Sequence, residues 1–337
     1  MALWTDVIDP AHLTGYARKS LREYEQAKGS LADYLPNLTV ADIAVRVIQG
    51  DNGLVDTANF RAYDAEIEFG KAGSGTRKMV ELPALGQQIA ISEYAQLRQR
   101  NASENEMLRA ITATTDRVVA AVADSMEYMR GQVLTTGKAT IDQPNFKTDD
   151  DFGRDADMSV TAGTLWSDPT SDPLADLTAY VDAYITRNGE APGALVGSQQ
   201  VLRALANHAQ FSVKLGDGAT RPGSTQSVSD TLLGQGLPAF EVRSRRVRRN
   251  GVAVNVLPTD RVFMLPAKGQ SGLGGTYWGE TLSASEPEWG IANEDRPGIV
   301  TGTFTNPKPP HGKQVFADAI GLPILANANL AFTAKVL

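Results

Sequence analysis

The sequence predicts an α+β fold in which a long β-hairpin and one long helix precede a unit of mixed helices and strands. Three observations predict it. Apolar and polar residues alternate on both sides of a glycine-rich stretch, in residues 63–69 and 78–82, as in half-buried strands. Apolar residues recur every three or four positions from 103 to 137, as on one face of a helix. From residue 172 onward, short helical and strand patterns follow one another.

Composition limits the function classes that need to be considered. The chain has 337 residues, enough for two domains, and contains no cysteine, which excludes disulfides and thiolate metal sites. Its net charge of −7 argues against a dedicated nucleic-acid binder. No apolar run is long enough to span a bilayer. The three histidines, His12, His208 and His311, are far apart in sequence and lack the spacing of paired metal ligands.

Residues 1–50 are predicted to form an extended arm that leads into a strand. Charges of both signs are mixed through this region, and a short helical stretch carries Arg18, Lys19 and Arg22. Apolar residues between 40 and 47 suit a strand, and Asp51-Asn52-Gly53 is a turn signal.

The stretch FGKAGSGTRKMVELP, residues 69–83, has glycines spaced as in a phosphate-binding loop but lacks the side chains that bind phosphate there. Gly70 and Gly75 have the spacing of a Walker loop, yet Thr76 and Arg77 stand where the lysine and hydroxyl belong. The glycines instead suit the turn of a β-hairpin that spans residues 63–82, with acidic and basic residues on opposite strands. Because an isolated two-stranded hairpin is only marginally stable, this one is predicted to rest on another surface.

The helix predicted at 103–137 is unusually long, at about 50 Å. Ser103 and Glu106 match a capping box, and the apolar face follows. That face consists of Ile111, Thr115, Val118, Val122, Met126, Met129 and Val133. Thr115 and the small alanines weaken the coiled-coil alternative and favour packing against a sheet.

The acidic segment KTDDDFGRDADM, residues 147–158, is predicted to be a solvated loop. Gly153 stands where a calcium loop needs a ligand, which leaves a weak cation site as the lesser alternative.

Residues 172–268 are predicted to form a separate α+β unit. Asp172-Pro173 begins a helix that ends at Asn188-Gly189, and a buried strand at 194–196 precedes a helix capped by Ser198. Residues 216–229 read as a flexible loop. Asn250-Gly251 marks a hairpin, and residues 262–265 read as a further strand. The tail, 269–337, is predicted to be β-structure.

The densest charge in the chain is an arginine run whose members are Arg243, Arg245, Arg246, Arg248 and Arg249. Phosphate contact is one interpretation. Alternation along a strand, however, splits these side chains between two faces, which favours salt links between subunits or a solvated hairpin.

No motif for nucleophilic catalysis is present, since the chain lacks cysteine and any Gly-x-Ser-x-Gly. We therefore predict no enzymatic activity, no cofactor and no metal, although an isolated carboxylate pair remains open.

Four stretches of the chain resemble the lambda-type major capsid protein E family of tailed phages. They are YLPNLTVADIAVRVIQGDNG, FRAYDAEIEFG, LPALGQQIAISEY and ADAIGLPILANANLAFTAKVL. The order of arm, hairpin, long helix and α+β unit is also similar to the tailed-phage capsid fold, so the resemblance covers most of the chain.

The resemblance implies the following division of the chain: an N-terminal arm and first strand at 1–50, an extension loop at 56–86, a peripheral domain at 87–171 and 269–312 with its spine helix at 103–137, and an axial domain at 172–268 and 313–337. It also implies that the extension loop lies over a neighbouring subunit. The expected contact residues are Tyr63, Ile67, Phe69, Lys71, Arg77, Lys78 and Met79.

The function implied by the resemblance is that of a major capsid protein, which self-assembles into the hexamers and pentamers of an icosahedral head around double-stranded DNA. The expected partners are further copies of the chain, a separate scaffolding protein, a portal, a decoration protein and, non-specifically, the packaged DNA, but no membrane. Assembly is expected in the cytoplasm of the bacterial host, and the protein is expected in the virion. An encapsulin-like nanocompartment shell is the alternative with the same fold, and a hydrolase or carbohydrate-active enzyme is a more distant one.

Overall fold

The structure is a computed structural model that describes residues 2–3, 8–49, 76–91, 104–144, 146–214, 220–270, 272–306 and 312–337. Four of the expected loop contacts, Tyr63, Ile67, Phe69 and Lys71, lie outside these residues.

The described residues form six α-helices: α1 (Pro10–Lys28), α2 (Glu104–Thr136), α3 (Pro173–Asn188), α4 (Gln199–Asn207), α5 (Thr225–Gly234) and α6 (Leu282–Ser285). The predicted starts of α3 and α4 are confirmed, because Asp172 and Ser198 accept hydrogen bonds from backbone N–H groups of the first turn. The left-handed Gly189 ends α3, also as predicted.

Nineteen strands accompany the helices in the described part of the chain. The first ten are β1 (Ala2–Leu3), β2 (Asn37–Thr39), β3 (Ala44–Gln49), β4 (Thr76–Glu81), β5 (Ala84–Ile91), β6 (Lys138–Gln143), β7 (Phe146–Asp151), β8 (Ser159–Thr161), β9 (Ala194–Gly197) and β10 (Val213–Lys214). The others are β11 (Thr220–Arg221), β12 (Phe240–Val242), β13 (Arg246–Arg249), β14 (Val252–Asn255), β15 (Arg261–Leu265), β16 (Gly274–Gly279), β17 (Val300–Asn306), β18 (Gly312–Leu325) and β19 (Phe332–Lys335).

The larger sheet is built around the long strand β18. Its order is β1-β17-β18-β16-β2, and β5 also pairs with β18. The first half of β18 pairs with β17 on one side and β5 on the other, and its second half pairs with β16. Fourteen residues allow β18 to serve three neighbours, so this one strand organises the sheet. The tail is therefore largely β-structure as predicted, with the short α6 inserted.

The second sheet has five strands in the order β12-β9-β15-β19-β8. Three of them come from residues 172–268, and β19, the last strand of the chain, completes the sheet. Strand β8, placed by sequence in the other unit, extends this sheet because it pairs in parallel with β19. Strand β18 lies within 313–337 but pairs in the six-stranded sheet.

Helix α2 packs its predicted face against the six-stranded sheet. Its bounds agree closely with the predicted 103–137, and Ile111, Val118, Val122 and Met126 are buried. Inward-facing residues of β18 and of α1 complete the same hydrophobic cluster. The helix is stable here because an apolar stripe of about six turns has a sheet to cover it.

A half-buried arginine completes the C-terminus of α2. Arg154 donates hydrogen bonds to the backbone oxygens of Leu134 (2.7 Å) and Thr135 (3.1 Å) in the last turn, and to that of Val133 (3.3 Å), which also accepts from the Gly137 amide. Burial lowers the pKa of Arg154 to about 10, which leaves the guanidinium charged at neutral pH. The cation also interacts favourably with the negative end of the helix dipole.

The helical stretch predicted around Arg18, Lys19 and Arg22 is helix α1, and at Pro10–Lys28 it takes up much of the region predicted to be an extended arm. Asp9 caps the helix, Pro10 begins it and the left-handed Gly29 ends it. Leu13, Ala17 and Leu21 recur every four residues and are buried against α2 and β18. Other charges of this region, among them Lys19 and Arg22, lie on the solvent side of this amphipathic helix.

The prediction of a solvated acidic loop at 147–158 is also wrong, because residues 146–151 form β7, paired antiparallel with β6. Lys138 contacts Asp151 at 2.8 Å, and Lys147 contacts Asp142 at 2.7 Å. Ion pairs between β6 and β7 thus stabilise a strand whose acidic sequence suggested a loop.

The predicted loop at 216–229 is shorter than expected. Ser224 and Ser227 form a reciprocal capping box, and α5 begins at Thr225. Val228 and Leu232 lie one turn apart and are buried, so packing on the five-stranded sheet decides that this polar segment is helical.

Candidate assembly surfaces

The described part of the expected extension loop is a ribbon formed by β3 and β4. Val45 lies opposite Val80, and Arg46 lies opposite Met79. Strand β4 therefore pairs with β3, while its predicted partner, residues 63–69, lies outside the described residues. Successive side chains of a strand point to opposite faces. Val45, Val47 and Val80 therefore form an apolar face of the β3–β4 ribbon, and Arg46, Arg77 and Met79 lie on the opposite, mixed face.

The apolar face of the β3–β4 ribbon packs on its own chain. Val45, Val47 and Val80 are buried in the same hydrophobic cluster as residues at the end of α2. Lys78, one of the expected intersubunit contacts, has its Nζ atom 3.2 Å from Oδ1 of Asp150 and donates to the backbone oxygen of Asp151 at 3.0 Å. The expectation that residues 63–82 rest only on an adjacent copy is therefore wrong for the base of the ribbon, which is anchored to β7.

The mixed face of the β3–β4 ribbon is solvent-exposed in the single chain. Met79 is 60% exposed, and Arg46, which lies opposite it, and Arg77 are exposed on the same face. An exposed large apolar side chain beside two cations forms a surface suited to contact with another protein. Of the seven expected contacts, Arg77 and Met79 are thus the described residues available to a neighbour.

The arginine run divides between buried and exposed positions. Arg243 is mostly buried, and its Nη2 atom lies 2.6 Å from Oδ2 of Asp33 while its Nε atom donates to Glu241 at 2.6 Å. Arg245 reaches Asp124 of α2 at 2.8 Å and lies over the ring of Tyr24. Both arginines therefore connect parts of the same chain.

The other three arginines lie on the β13–β14 hairpin, whose turn at Asn250 and Gly251 has the positive φ angles predicted for it. Arg249 lies over the ring of Tyr128, with its guanidinium carbon 4.5 Å from the ring centre. Arg246 and Arg248 are exposed on the same face of β13, so they carry the charge of this run that is open to a partner.

The structure contains a buried polar cluster that the sequence analysis missed. We define the Arg130 network as Arg130 together with Glu25, Glu127, Ser30, Asn37 and Thr276. Arg130 is 0% exposed, and its Nη1 atom lies 2.6 Å from Glu25 and 3.2 Å from Glu127. A signal was available, because position 130 falls four residues after Met126 and three before Val133, within the apolar stripe of α2.

The Arg130 network connects four elements. The Nε atom of Arg130 donates to Thr276 of β16 at 2.8 Å, and its Nη2 atom donates to Asn37 of β2 at 2.6 Å. Glu25 belongs to α1, and Glu127 to α2. Each guanidinium nitrogen thus has an acceptor, which satisfies the condition for placing a charge in the core.

A second polar contact lies where the two sheets approach each other. The hydroxyl of Tyr34 donates to Glu241 of β12 at 2.8 Å. Burial, and then the hydrogen bond to Glu241, raise the pKa of Tyr34, so the phenol stays protonated at all physiological pH values.

The described residues contain no group of three or more His, Cys, Asp or Glu side chains arranged to hold a metal ion. Within the same residues, no helix is long and apolar enough to cross a membrane. Two surfaces described above are exposed in the single chain: the outer face of the β3–β4 ribbon, and Arg246 and Arg248 of β13.

A protein-family model described as phage major capsid protein E matches residues 31–279, most of the chain. The match includes the β3–β4 ribbon, α2 and most strands of the five-stranded sheet. No curated protein sequence matches the chain.

Solved structures share the fold. One is a protein assigned as the capsid protein of a prophage of E. coli CFT073, with a TM-score of 0.66, 15% identity, and coverage of 98% of this chain and 99% of that one. Another is a phage-related protein from Bordetella bronchiseptica RB50, with a TM-score of 0.60, 14% identity, and coverage of 99% and 98%. A third is a virus-like particle from Pyrococcus furiosus, with a TM-score of 0.51, 9% identity, and coverage of 95% and 98%. At these identities the similarity shows a common fold.

Proposed function

The chain belongs to the phage major capsid protein E family, and from this premise we propose that its copies form the hexamers and pentamers of an icosahedral phage head around double-stranded DNA. The observation that carries the proposal is the family match across residues 31–279, which covers both sheets in part and the whole of α2. A shell protein needs extended contact surfaces rather than a catalytic site, so we assign this chain a structural role without enzymatic activity.

We propose that the two sheets correspond to the two domains of the subunit. The six-stranded sheet with α1 and α2 forms the peripheral domain, and α2 is its spine. The five-stranded sheet with α3, α4 and α5 forms the axial domain near the capsomer centre. This division revises the expected boundaries, since β8 joins the axial domain and β18 the peripheral one.

We propose that the exposed face of the β3–β4 ribbon binds a neighbouring copy. Burial of Met79 removes apolar surface from water, and Arg46 and Arg77 provide charges for an acidic counterpart. Because the base of the ribbon is anchored through Lys78, the contact surface is held in place before the neighbour arrives, which lowers the entropy cost of association.

Capsid proteins form part of the virion, and for this chain we further propose assembly in the host cytoplasm with a separate scaffolding protein, a portal and a decoration protein. The packaged DNA would contact the inner wall without sequence preference. A net charge of −7 limits adhesion of the genome to that wall.

Electron microscopy of the purified chain tests the proposal. Closed shells or rings of five and six subunits are expected, alone or with a scaffolding protein. A chain that stays monomeric at high concentration and with scaffold would contradict it.

A nanocompartment shell of the same fold is the second candidate, because a virus-like particle from Pyrococcus furiosus shows that structures with this fold are not all described as phage proteins. The two functions differ in what the shell contains. Particles isolated from the native host should carry DNA if the chain forms a phage head, and an enzyme cargo without nucleic acid if it forms a nanocompartment. The ratio of absorbance at 260 and 280 nm, followed by mass spectrometry, distinguishes them.

A further inference from the structure

An open cleft of about 500 Å³ lies between the end of α1 and the strands β12 and β13. We call it the Arg245 cleft and define it by its charged lining residues: Lys28, Glu127, Glu241, Arg243, Arg245 and Arg246. Four cations and two carboxylates thus surround one concave space, and neither the capsid fold nor the β3–β4 ribbon accounts for it.

The two carboxylates of the cleft already have partners within the chain. Glu127 accepts hydrogen bonds from the Ser30 hydroxyl at 2.5 Å and the Leu31 amide at 2.8 Å, besides its contact with Arg130. Glu241 accepts from Tyr34 at 2.8 Å, lies 2.9 Å from Lys268, and also pairs with Arg243. The hydrogen bonds of these acids are therefore made within the chain, and neither acid forms an ion pair with Lys28 or Arg246.

Arg245 has an unfilled hydrogen-bonding position. Its side chain is 9% exposed, and its Nη2 atom is paired with Asp124 at 2.8 Å. Its Nη1 atom has no hydrogen-bond partner among the described residues and lies 3.8 Å from Oε1 of Glu127, which is too far for a hydrogen bond. A buried charged donor without an acceptor is costly, so an oxygen ligand at this position would stabilise the site.

Two more cations of the cleft form no ion pair with the described residues. Arg246 is exposed and donates from Nη2 to the backbone oxygen of Ala253 at 3.0 Å. Lys28 lies at the C-terminal end of α1, with its Nζ atom 6.0 Å from the centre of the Tyr24 ring. A flexible lysine and a planar guanidinium on two sides of a cleft are suited to bind an oxyanion.

We propose that the Arg245 cleft binds an oxyanion, a phosphate or a carboxylate group, between Arg245, Arg246 and Lys28. The volume lies in the range of small-molecule sites and exceeds the space that one bare anion needs. The oxyanion is therefore either a free polyvalent anion such as phosphate or an acidic side chain inserted by a second copy of the chain.

Thermal unfolding of the full chain with increasing inorganic phosphate, at constant ionic strength maintained with chloride, tests the site. A ligand of the folded state raises the melting temperature with a saturable dependence on its concentration. The Arg246→Ala variant should raise the apparent Kd for phosphate about tenfold, the effect of one lost charge-assisted contact. Arg246 is exposed, so the variant is expected to fold, which circular dichroism verifies.

Arg248→Ala is the matched control, because Arg248 is exposed on the same face of β13 but does not line the cleft. Its apparent Kd for phosphate should equal that of the unmodified chain. The absence of any saturable phosphate effect, or an equal loss in both variants, would overturn the proposal.

Sedimentation velocity distinguishes the two sources of the oxyanion. Binding of phosphate with unchanged sedimentation identifies a free anion. If phosphate dissociates oligomers, and Arg246→Ala but not Arg248→Ala weakens the same association, the ligand is a carboxylate of a second copy. This test requires no closed shell, so failure of phosphate binding is separable from failure of capsid assembly.

Discussion

The Nη1 atom of Arg130 lies 2.6 Å from Oε1 of Glu25, and this pair joins α1 to α2 inside the core. Both side chains are buried, and Thr276 and Asn37 accept hydrogen bonds from the other two guanidinium nitrogens. The directionality of these bonds fixes how the two helices and the six-stranded sheet sit against one another, which apolar contact alone does not specify.

Replacing Arg130 should be strongly destabilising. Arg130→Met retains much of the side-chain length but leaves the buried carboxylates of Glu25 and Glu127 without their cation. We expect the free energy of unfolding to fall by about 3–5 kcal/mol, measured by urea denaturation. Lys19→Met is the control, because Lys19 is exposed and contacts Glu23 at 3.7 Å, and it should change stability by less than about 0.5 kcal/mol. A similar small loss for Arg130→Met would contradict the assigned role.

Gly131 of α2 should not tolerate alanine, although alanine is the better helix former. A Cβ atom at Gly131 would lie 2.1 Å from the backbone oxygen of Val256, which cannot move like a side chain. We expect Gly131→Ala to lower the free energy of unfolding by about 1–3 kcal/mol as α2 and the segment that follows β14 are forced apart. Gly234→Ala, at the end of α5, is the control. Nothing lies within 4 Å of its added Cβ atom, so helix propensity should make it neutral or stabilising by up to about 1 kcal/mol. Equal effects at both sites would refute the close approach.

Met79→Asp should impair assembly and leave the folded subunit intact. Met79 is 60% exposed in the single chain, so an aspartate there is solvated until a neighbour covers it. Desolvation of that charge should shift the concentration at which oligomers form by about tenfold or more, measured by light scattering. Met79→Leu, which keeps the apolar surface and volume, should assemble normally. If Met79→Asp assembles like the unmodified chain, the outer face of the ribbon is not the contact.

The start of α3 should lose stability in acid. Hydrogen bonds from the Gln210 side chain at 2.5 Å and the Ala175 amide at 3.0 Å lower the pKa of Asp172. Because the folded pKa lies below the unfolded value, their contribution is complete above about pH 4 and disappears as the pH falls through the folded pKa. The melting temperature should therefore fall less between about pH 5 and pH 2 in Asp172→Asn, whose amide caps the helix but does not titrate. Parallel curves for the two proteins would show that the carboxylate is not responsible.

Local patterns predicted a large part of this fold. The apolar stripe of α2, the Asp172 and Ser198 caps and the Asn250-Gly251 turn are all present, because each depends on residues a few positions apart. The errors share a different cause. Helix α1, strand β7 and helix α5 are decided by a partner element distant in sequence, which supplies an apolar surface to α1 and α5 and opposite charges to β7.

The candidate contact surface was predicted only in outline. Sequence alternation identified Arg77, Lys78 and Met79 as one strand of a ribbon, but it did not show that Lys78 reaches Asp150 and faces its own chain. The sequence also did not show which arginines of the run form ion pairs within the chain. Arg243 pairs with Asp33 and Arg245 pairs with Asp124, and both aspartates belong to segments distant in sequence.

The sequence by itself determined which segments become amphipathic helices and strands, and its resemblance to capsid proteins already indicated the family. Only the tertiary structure decided which strands share a sheet, which charges are buried together around Arg130, and where a cationic cleft remains open. The reason is physical. Hydrophobic periodicity is a local property of the chain, whereas the pairing of buried charges depends on distances between elements that are far apart in sequence.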